Sequence, residues 1–366
     1  MSATCCLGTP QTQEINTTAP AKLDATVEGQ DCQETLKPTE AKNECLEKEP
    51  IKPEESFSAK IDEPQQNANV QDEAQREKLR KQIQTHGPNP EDAKAYDKDL
   101  QIENEQVRKT LEKLGDYQYD ETSLQQFHDC IEFGPYQFEN GAIYVGQWKN
   151  HQRWGRGKQF YPDGSIFEGF WSQHTINGKG RVIHADDGEA YDGDWVDGRA
   201  QGQGTYYHAD GTIYEGDWLE DLQHGKGTEM WADGGQYIGS YVNGIKDGKG
   251  KCKWSDGATY EGDFRDNKME GFGEYVWADG RKYKGQWLNE KMHGKGDFNW
   301  PDGKQYSGDY VEDKKEGYGI FKWSHGDQYK GYWKDGKQHG KGILVDREAR
   351  EVEAEWVEGR RVRMDN

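Results

Sequence analysis

Aliphatic residues are scarce in this chain. Only 32% of its 366 residues are apolar even when aromatics and cysteines are counted, against roughly 45–50% in an ordinary globular domain. A chain so short of Leu, Ile and Val cannot fill a thick aliphatic core, which argues against a large compact enzyme. No run approaches about 18 consecutive apolar residues, so no transmembrane helix is expected. The first ten residues lack the charged-then-apolar order of a secretory signal, and a cytoplasmic protein is the expectation. The six cysteines, at 5, 6, 32, 45, 130 and 252, have neither disulfide nor zinc spacing. Positive charge is also in deficit, with 15 Lys+Arg against 28 Asp+Glu in residues 1–132 and 32 against 40 in the remainder. Both parts are acidic, which disfavours nucleic acid as a partner.

What the chain has instead is glycine and aromatic rings, with 46 Gly, 13 Trp, 20 Tyr and 11 Phe. They are unevenly spread, since residues 1–132 hold 4 of the glycines and none of the tryptophans. From there on, an aromatic-x-small-x-aromatic phrase begins at Tyr144, Phe167, Tyr191, Tyr214, Tyr237, Tyr260, Tyr283, Tyr306 and Tyr329. The spacing is 23 residues throughout, except for 24 between Phe167 and Tyr191. A Gly-x-Gly step follows each phrase, as at Gly225 and Gly227, and an Asp-Gly pair such as Asp233-Gly234 usually closes the unit. A fixed period of this length marks a repeat architecture.

Each unit reads as a β-hairpin. Tyr214, Gly216 and Trp218 alternate with Glu215 and Asp217, the period-2 pattern of a half-buried strand. Asp-Gly is a turn signal, because Gly accepts φ > 0 and Asp bonds nearby backbone. The paired glycines leave room for a neighbouring aromatic ring to lie flat against backbone. The predicted fold is therefore an all-β repeat: an elongated, twisted, single-layer antiparallel meander of about nine hairpins, preceded by helical and disordered segments. A half repeat around Gly134, Phe138 and Asn140-Gly141 opens it. The weak unit Val352-x-Ala354-x-Trp356 closes it, as a solenoid end requires.

The phrases Tyr-x-Gly-x-Trp, Gly-x-Gly and Asp-Gly resemble the MORN (membrane occupation and recognition nexus) repeats over about residues 133–359. The resemblance implies a twisted single sheet whose aromatic face grips a helix or extended peptide, in a cytoskeletal, cortical or ciliary scaffold. On that expectation the partner-binding face comprises Tyr191, Trp195, Tyr214, Trp218, Trp231, Tyr237, Tyr241, Trp254, Tyr260, Trp277, Tyr283, Trp287 and Trp300. Tyr241, Phe264 and Tyr310 replace the usual Trp and keep a ring in place.

A peripheral membrane protein is the alternative reading. Cys5 and Cys6 are candidate acylation sites. Lys226, Lys249 and Lys295, with Arg360, Arg361 and Arg363 at the end, are candidate contacts to anionic lipid. The same parity of the adjacent strand carries Glu and Asp, however, so a charge-paired, solvated face competes with lipid recognition. No catalytic motif is found, and no small-molecule substrate or cofactor is expected. The Gly-x-Gly steps lack the context of a phosphate loop. His224, His293 and His339 occupy one repeat position in separate units, too far apart to share a metal.

Before the repeats, residues 1–70 have the composition of a disordered acidic tail. Residues 71–115 form a helical segment of two helices broken near Pro88–Pro90. The second is expected from an Asn89 cap and Pro90 through Leu114 to a stop at Gly115. Residues 116–132 are a linker, and 360–366 a basic end. The stripe Ala93, Tyr96, Leu100, Val107, Leu111 and Leu114 needs a surface to pack on. Two placements remain open: docking on the uncovered aromatic face, or packing beside the first half repeat or another chain.

Overall fold

The structure, a computed structural model, describes residues 87–89, 91–120, 127 and 129–362. Among the described residues there is one 22-stranded sheet and one helix. A short strand β1 (Ala93–Ala95) precedes helix α1 (Glu105–Leu114), and β2 (Ile131–Phe138) starts the continuous meander that ends with β22 (Arg360–Val362). Every strand pairs antiparallel with the next in sequence, and β1 and β22 do not meet, so the sheet is open.

Each unit has two different turns. Between the strands of one hairpin lie two residues of positive φ, such as Glu220 (48°) and Asp221 (68°), the twist-matched two-residue loop. Between hairpins lies the Asp-Gly turn: Gly234 N–H donates to the Trp231 carbonyl at 3.0 Å, and Asp233 Oδ1 accepts from Gly235 N–H at 2.8 Å. The second strand carries a bulge opposite Asp217. Gly225 adopts φ 60° there, and Asp217 Oδ2 receives the Lys226 N–H at 2.6 Å. The extra residue of the 24-residue unit sits in its closing turn, where Gly188 N–H reaches back to the His184 carbonyl.

One face of the sheet is a continuous row of rings. Tyr214 lies over Gly216 and Gly227, so close that a Cβ on Gly227 would fall 2.4 Å from the ring edge. Its hydroxyl donates to the Asp217 carbonyl at 3.0 Å, a bond repeated by the other leading tyrosines. Trp218 Nε1 donates to the Gly204 carbonyl one repeat earlier at 3.0 Å. Successive rings meet edge to face with centroids 5.0–5.6 Å apart, as in Tyr191–Trp218 and Phe167–Trp195, the arrangement aromatic quadrupoles favour.

The segment before the repeats departs from the expected long helix. Asn89 caps only a single turn, accepting from Asp92 and Ala93 N–H through its carbonyl. Ala93–Ala95 then adds to the free edge of β2 opposite Tyr136–Phe138, because an open edge supplies backbone partners that an isolated helix end lacks. The helix starts at a second cap, Asn104, whose side chain accepts from Gln106 and Val107 N–H at 2.9 and 3.1 Å. It stops at Gly115 (φ 73°). At the other end the sheet continues past residue 359, because Arg360–Val362 pairs with Glu355–Val357.

Candidate functional site

The rings expected to remain partly uncovered are buried by one another. Tyr214, Tyr237, Tyr260 and Tyr283 are fully buried; Tyr191, Trp195, Trp218, Trp231, Tyr241, Trp254, Trp277 and Trp287 are buried, and Trp300 is partly buried. The 5 Å packing of each ring against the next repeat leaves little surface between them. These residues are the core of the sheet.

The same face also takes cations opposite some of the rings. Lys315 Nζ lies 5.0–5.2 Å from the centroids of Trp300, Tyr306, Phe321 and Trp333. Arg153 lies 4.4 Å from that of Trp171. Lys246 pairs with Glu229 at 2.7 Å, and Glu229 also accepts the Tyr241 hydroxyl at 3.0 Å. Burial alone would raise the Glu229 pKa, but the Lys246 charge outweighs it and holds the carboxyl below its ordinary value. Nearer the first repeats, burial of Glu189 is likewise outweighed by hydrogen bonds from His208, Tyr206 and the Ala209 N–H, which bring its pKa to about 2.

The opposite, outer face carries the charges. Lys249 pairs with Asp263 and Lys295 with Asp309 across adjacent strands at 2.6 and 2.5 Å, and Lys226 Nζ donates to Ser240 Oγ at 2.8 Å. Arg360 and Arg361 are exposed on β22. Cys5, Cys6 and Arg363 lie outside the described residues. Among those residues no group of three or more metal-ligating side chains is gathered, and no helix is long and apolar enough to cross a membrane.

The outer face also holds the feature that sequence reasoning missed. Helix α1 docks there, not on the rings. Val107 is fully buried among Ile166, Ile183, Ala185 and Ala190, with Leu111, Leu114, Phe160 and Tyr207 packed around them. Asn104 Nδ2 donates to the Ala185 carbonyl at 2.9 Å and Thr110 Oγ1 to the Gly188 carbonyl at 2.7 Å. The enlarged turn of the 24-residue unit is thus the seat of the helix. Arg181 then receives the helix end, donating to the Gly115 carbonyl at 2.7 Å. Beyond it Tyr119 and Phe127, together the strap, lie on the outer face against Phe170. Tyr119 meets Phe170 edge to face at 5.5 Å, and Phe127 stacks on it at 5.4 Å.

A signal for this docking was present. The outward residue before each leading aromatic is Ile143, Ile166, Ala190 and Ile213 in the first four repeats, then Gln236, Thr259, Lys282, Gln305 and Gln328. The apolar stretch is where the helix lies. Farther along, Tyr318 and Tyr332 stand exposed on this face, edge to face at 5.6 Å.

A sequence profile of the MORN repeat matches residues 144–166, 167–188, 191–213, 214–236, 237–259, 260–280, 283–305, 306–328 and 329–347, more than half of the chain. No curated protein gives a significant match. Among solved structures, the TCP10 domain of Danio rerio CPAP is similar at 11% identity over 59% of this chain and 95% of that one, with a TM-score of 0.31. The same domain in complex with a peptide of Danio rerio STIL gives 12%, 61%, 97% and 0.31. The SAS-4 TCP domain of Drosophila melanogaster, in complex with a proline-rich motif of Ana2, gives 14%, 49%, 88% and 0.27.

Proposed function

Because this chain belongs to the MORN-repeat family, we propose that it is a non-enzymatic scaffold that holds a protein partner, a helix or an extended peptide, against its sheet. The setting we propose is a cytoskeletal, cortical or ciliary assembly. The observation that supports a binding role is the docked segment: the outer face of the first repeats buries Val107 completely and packs Phe170 against the rings of Tyr119 and Phe127. A surface that takes a helix and a strap from its own chain has the chemistry to take one from another. The ring face, being closed on itself, is the less suitable side.

Cross-linking in the native cell tests this reading. Exposed outer-face lysines such as Lys253, Lys322 and Lys341 should yield cross-links to one protein, and these should survive Cys5→Ser with Cys6→Ser. A chain that sediments with membranes, leaves them when both cysteines are changed, and cross-links to no protein through the repeats would overturn the scaffold in favour of a peripheral membrane role.

A further inference from the structure

One cross-strand position of the outer face repeats nine times and has a structural duty in most of its copies. In five copies the residue before the second ring of the repeat phrase caps the bulge of the following strand. Gln147, Asp194, Asp217, Asp263 and Gln286 each accept the backbone N–H between the two glycines, at 2.6–3.1 Å. Across the next strand pair the same position takes the side chain from the preceding Gly-x-Gly step, giving the ion pairs Lys179–Asp194, Lys249–Asp263 and Lys295–Asp309. Only two copies hold a ring, which can do neither. They are Phe170 and Tyr332.

Phe170 shows what such a ring is for. It is 1% exposed, covered by Tyr119 and Phe127 of the strap. The Tyr119 hydroxyl also approaches the Gly157 carbonyl at 3.5 Å, an oxygen that already accepts Trp171 Nε1 at 3.2 Å. Tyr332 occupies the same position in the last full repeat, opposite Tyr318 as Phe170 is opposite Arg156. Here the Lys–Asp pair of three other repeats has become two tyrosines, 47% and 55% exposed, beside an exposed Ile320. The Gly319 carbonyl accepts Trp333 Nε1 at 3.3 Å, as Gly157 accepts Trp171. The outward ring and the glycine carbonyl that meet the strap at the start of the sheet are present again at its end, where the two tyrosines remain exposed among the described residues.

We propose that Tyr318, Tyr332 and Ile320 form a docking site for an extended peptide of another protein that carries aromatic side chains, one of them a tyrosine able to donate to the Gly319 carbonyl. The inference rests on the scaffold reading and names its surface. The chain's own strap is engaged at Phe170. Residues 1–86 contain a single aromatic, Phe57, too few to reproduce the two-ring cover. The occupant therefore comes from outside the chain. Burying two half-exposed tyrosines at the centre of an interface is the pattern of a binding hot spot.

The test uses the full chain and the double variant Tyr318→Lys with Tyr332→Asp, which installs the Lys–Asp pair that three other repeats carry at this position and so keeps the fold. A displayed library of random linear peptides is panned against the natural chain. The expected result is enrichment of sequences with two aromatic residues, tyrosine among them, whose synthetic peptides bind the double variant at least tenfold more weakly. Equal binding to both proteins, or enriched peptides without aromatic residues, would overturn the proposal. So would a natural chain that dimerises in sedimentation while the double variant stays monomeric, since the occupant would then be a second copy. Cross-links from other repeats to a protein partner would keep the scaffold reading alive in any of these cases.

Discussion

At the scale of single residues, the fold turns on the contrast between two neighbours in one strand. Gly227 sits under the Tyr214 ring, and an added Cβ would meet it at 2.4 Å. Lys226 points to the outer face and bonds Ser240. Gly227→Val forces the ring out of its place over two glycines and breaks its bond to the Asp217 carbonyl, costing about 3 kcal/mol or more. Lys226→Val loses one exposed hydrogen bond and gains strand propensity, so its cost stays within about 0.5 kcal/mol. Thermal melts of the two variants should separate clearly, and coincident melts would mean that the faces are reversed. This assignment of faces was legible from sequence, because the same two glycines recur with the same leading ring in every unit. The degree of burial was not. It depends on how closely each ring approaches the next repeat, a distance that alternation alone does not contain.

At the scale of the element, one repeat solves with polar groups what its neighbour solves with apolar ones. Tyr241, Glu229 and Lys246 form a buried network; one unit later the same three positions hold Phe264, Cys252 and Met269, all buried. Lys246→Met alone leaves the Glu229 carboxylate buried without its counter-charge, at a cost of about 3–5 kcal/mol. Adding Glu229→Cys and Tyr241→Phe copies the adjacent unit and should recover most of that loss in a denaturant titration. A triple variant no more stable than the single one would show that the units are not interchangeable. Hairpins, turns and the odd 24-residue unit could be read beforehand because nine copies average out local ambiguity. The helix occurs once, and its apolar stripe fits any apolar surface. The sequence offered Asn89 as its cap, but the free edge of β2 claims Ala93–Ala95 and the helix starts only at Asn104. Its docking face stayed open because the outward residues weighed beforehand were the charged ones, while Ile143, Ile166, Ala190 and Ile213 form the apolar stretch where it lies.

At the scale of the whole molecule, 22 strands spaced by about 4.8 Å follow a path of roughly 100 Å, and each strand pairs only with its sequence neighbours. Stability in such an array is a sum of units and interfaces, so damage stays local. Helix α1 bridges the first three repeats through Phe160, Ile166, Ile183, Ala190 and Tyr207, and among the described residues its apolar cluster includes none from the units beyond. Val107→Asp places a charge where Val107 is fully buried; the carboxylate finds solvent only if the helix leaves. Hydrogen exchange on the full chain should then show residues 105–114 losing protection and the backbone of residues 160–207 exchanging faster. The strands from Tyr237 onward should keep their natural rates, because no packing contact carries the change that far. Loss of protection spreading to the last repeats would mean that the sheet folds as one cooperative body and that the helix is part of its core. Confinement to the first three repeats would leave the helix as a separable cover over the outer face, and the distant Tyr318–Tyr332 pair free to act independently of it.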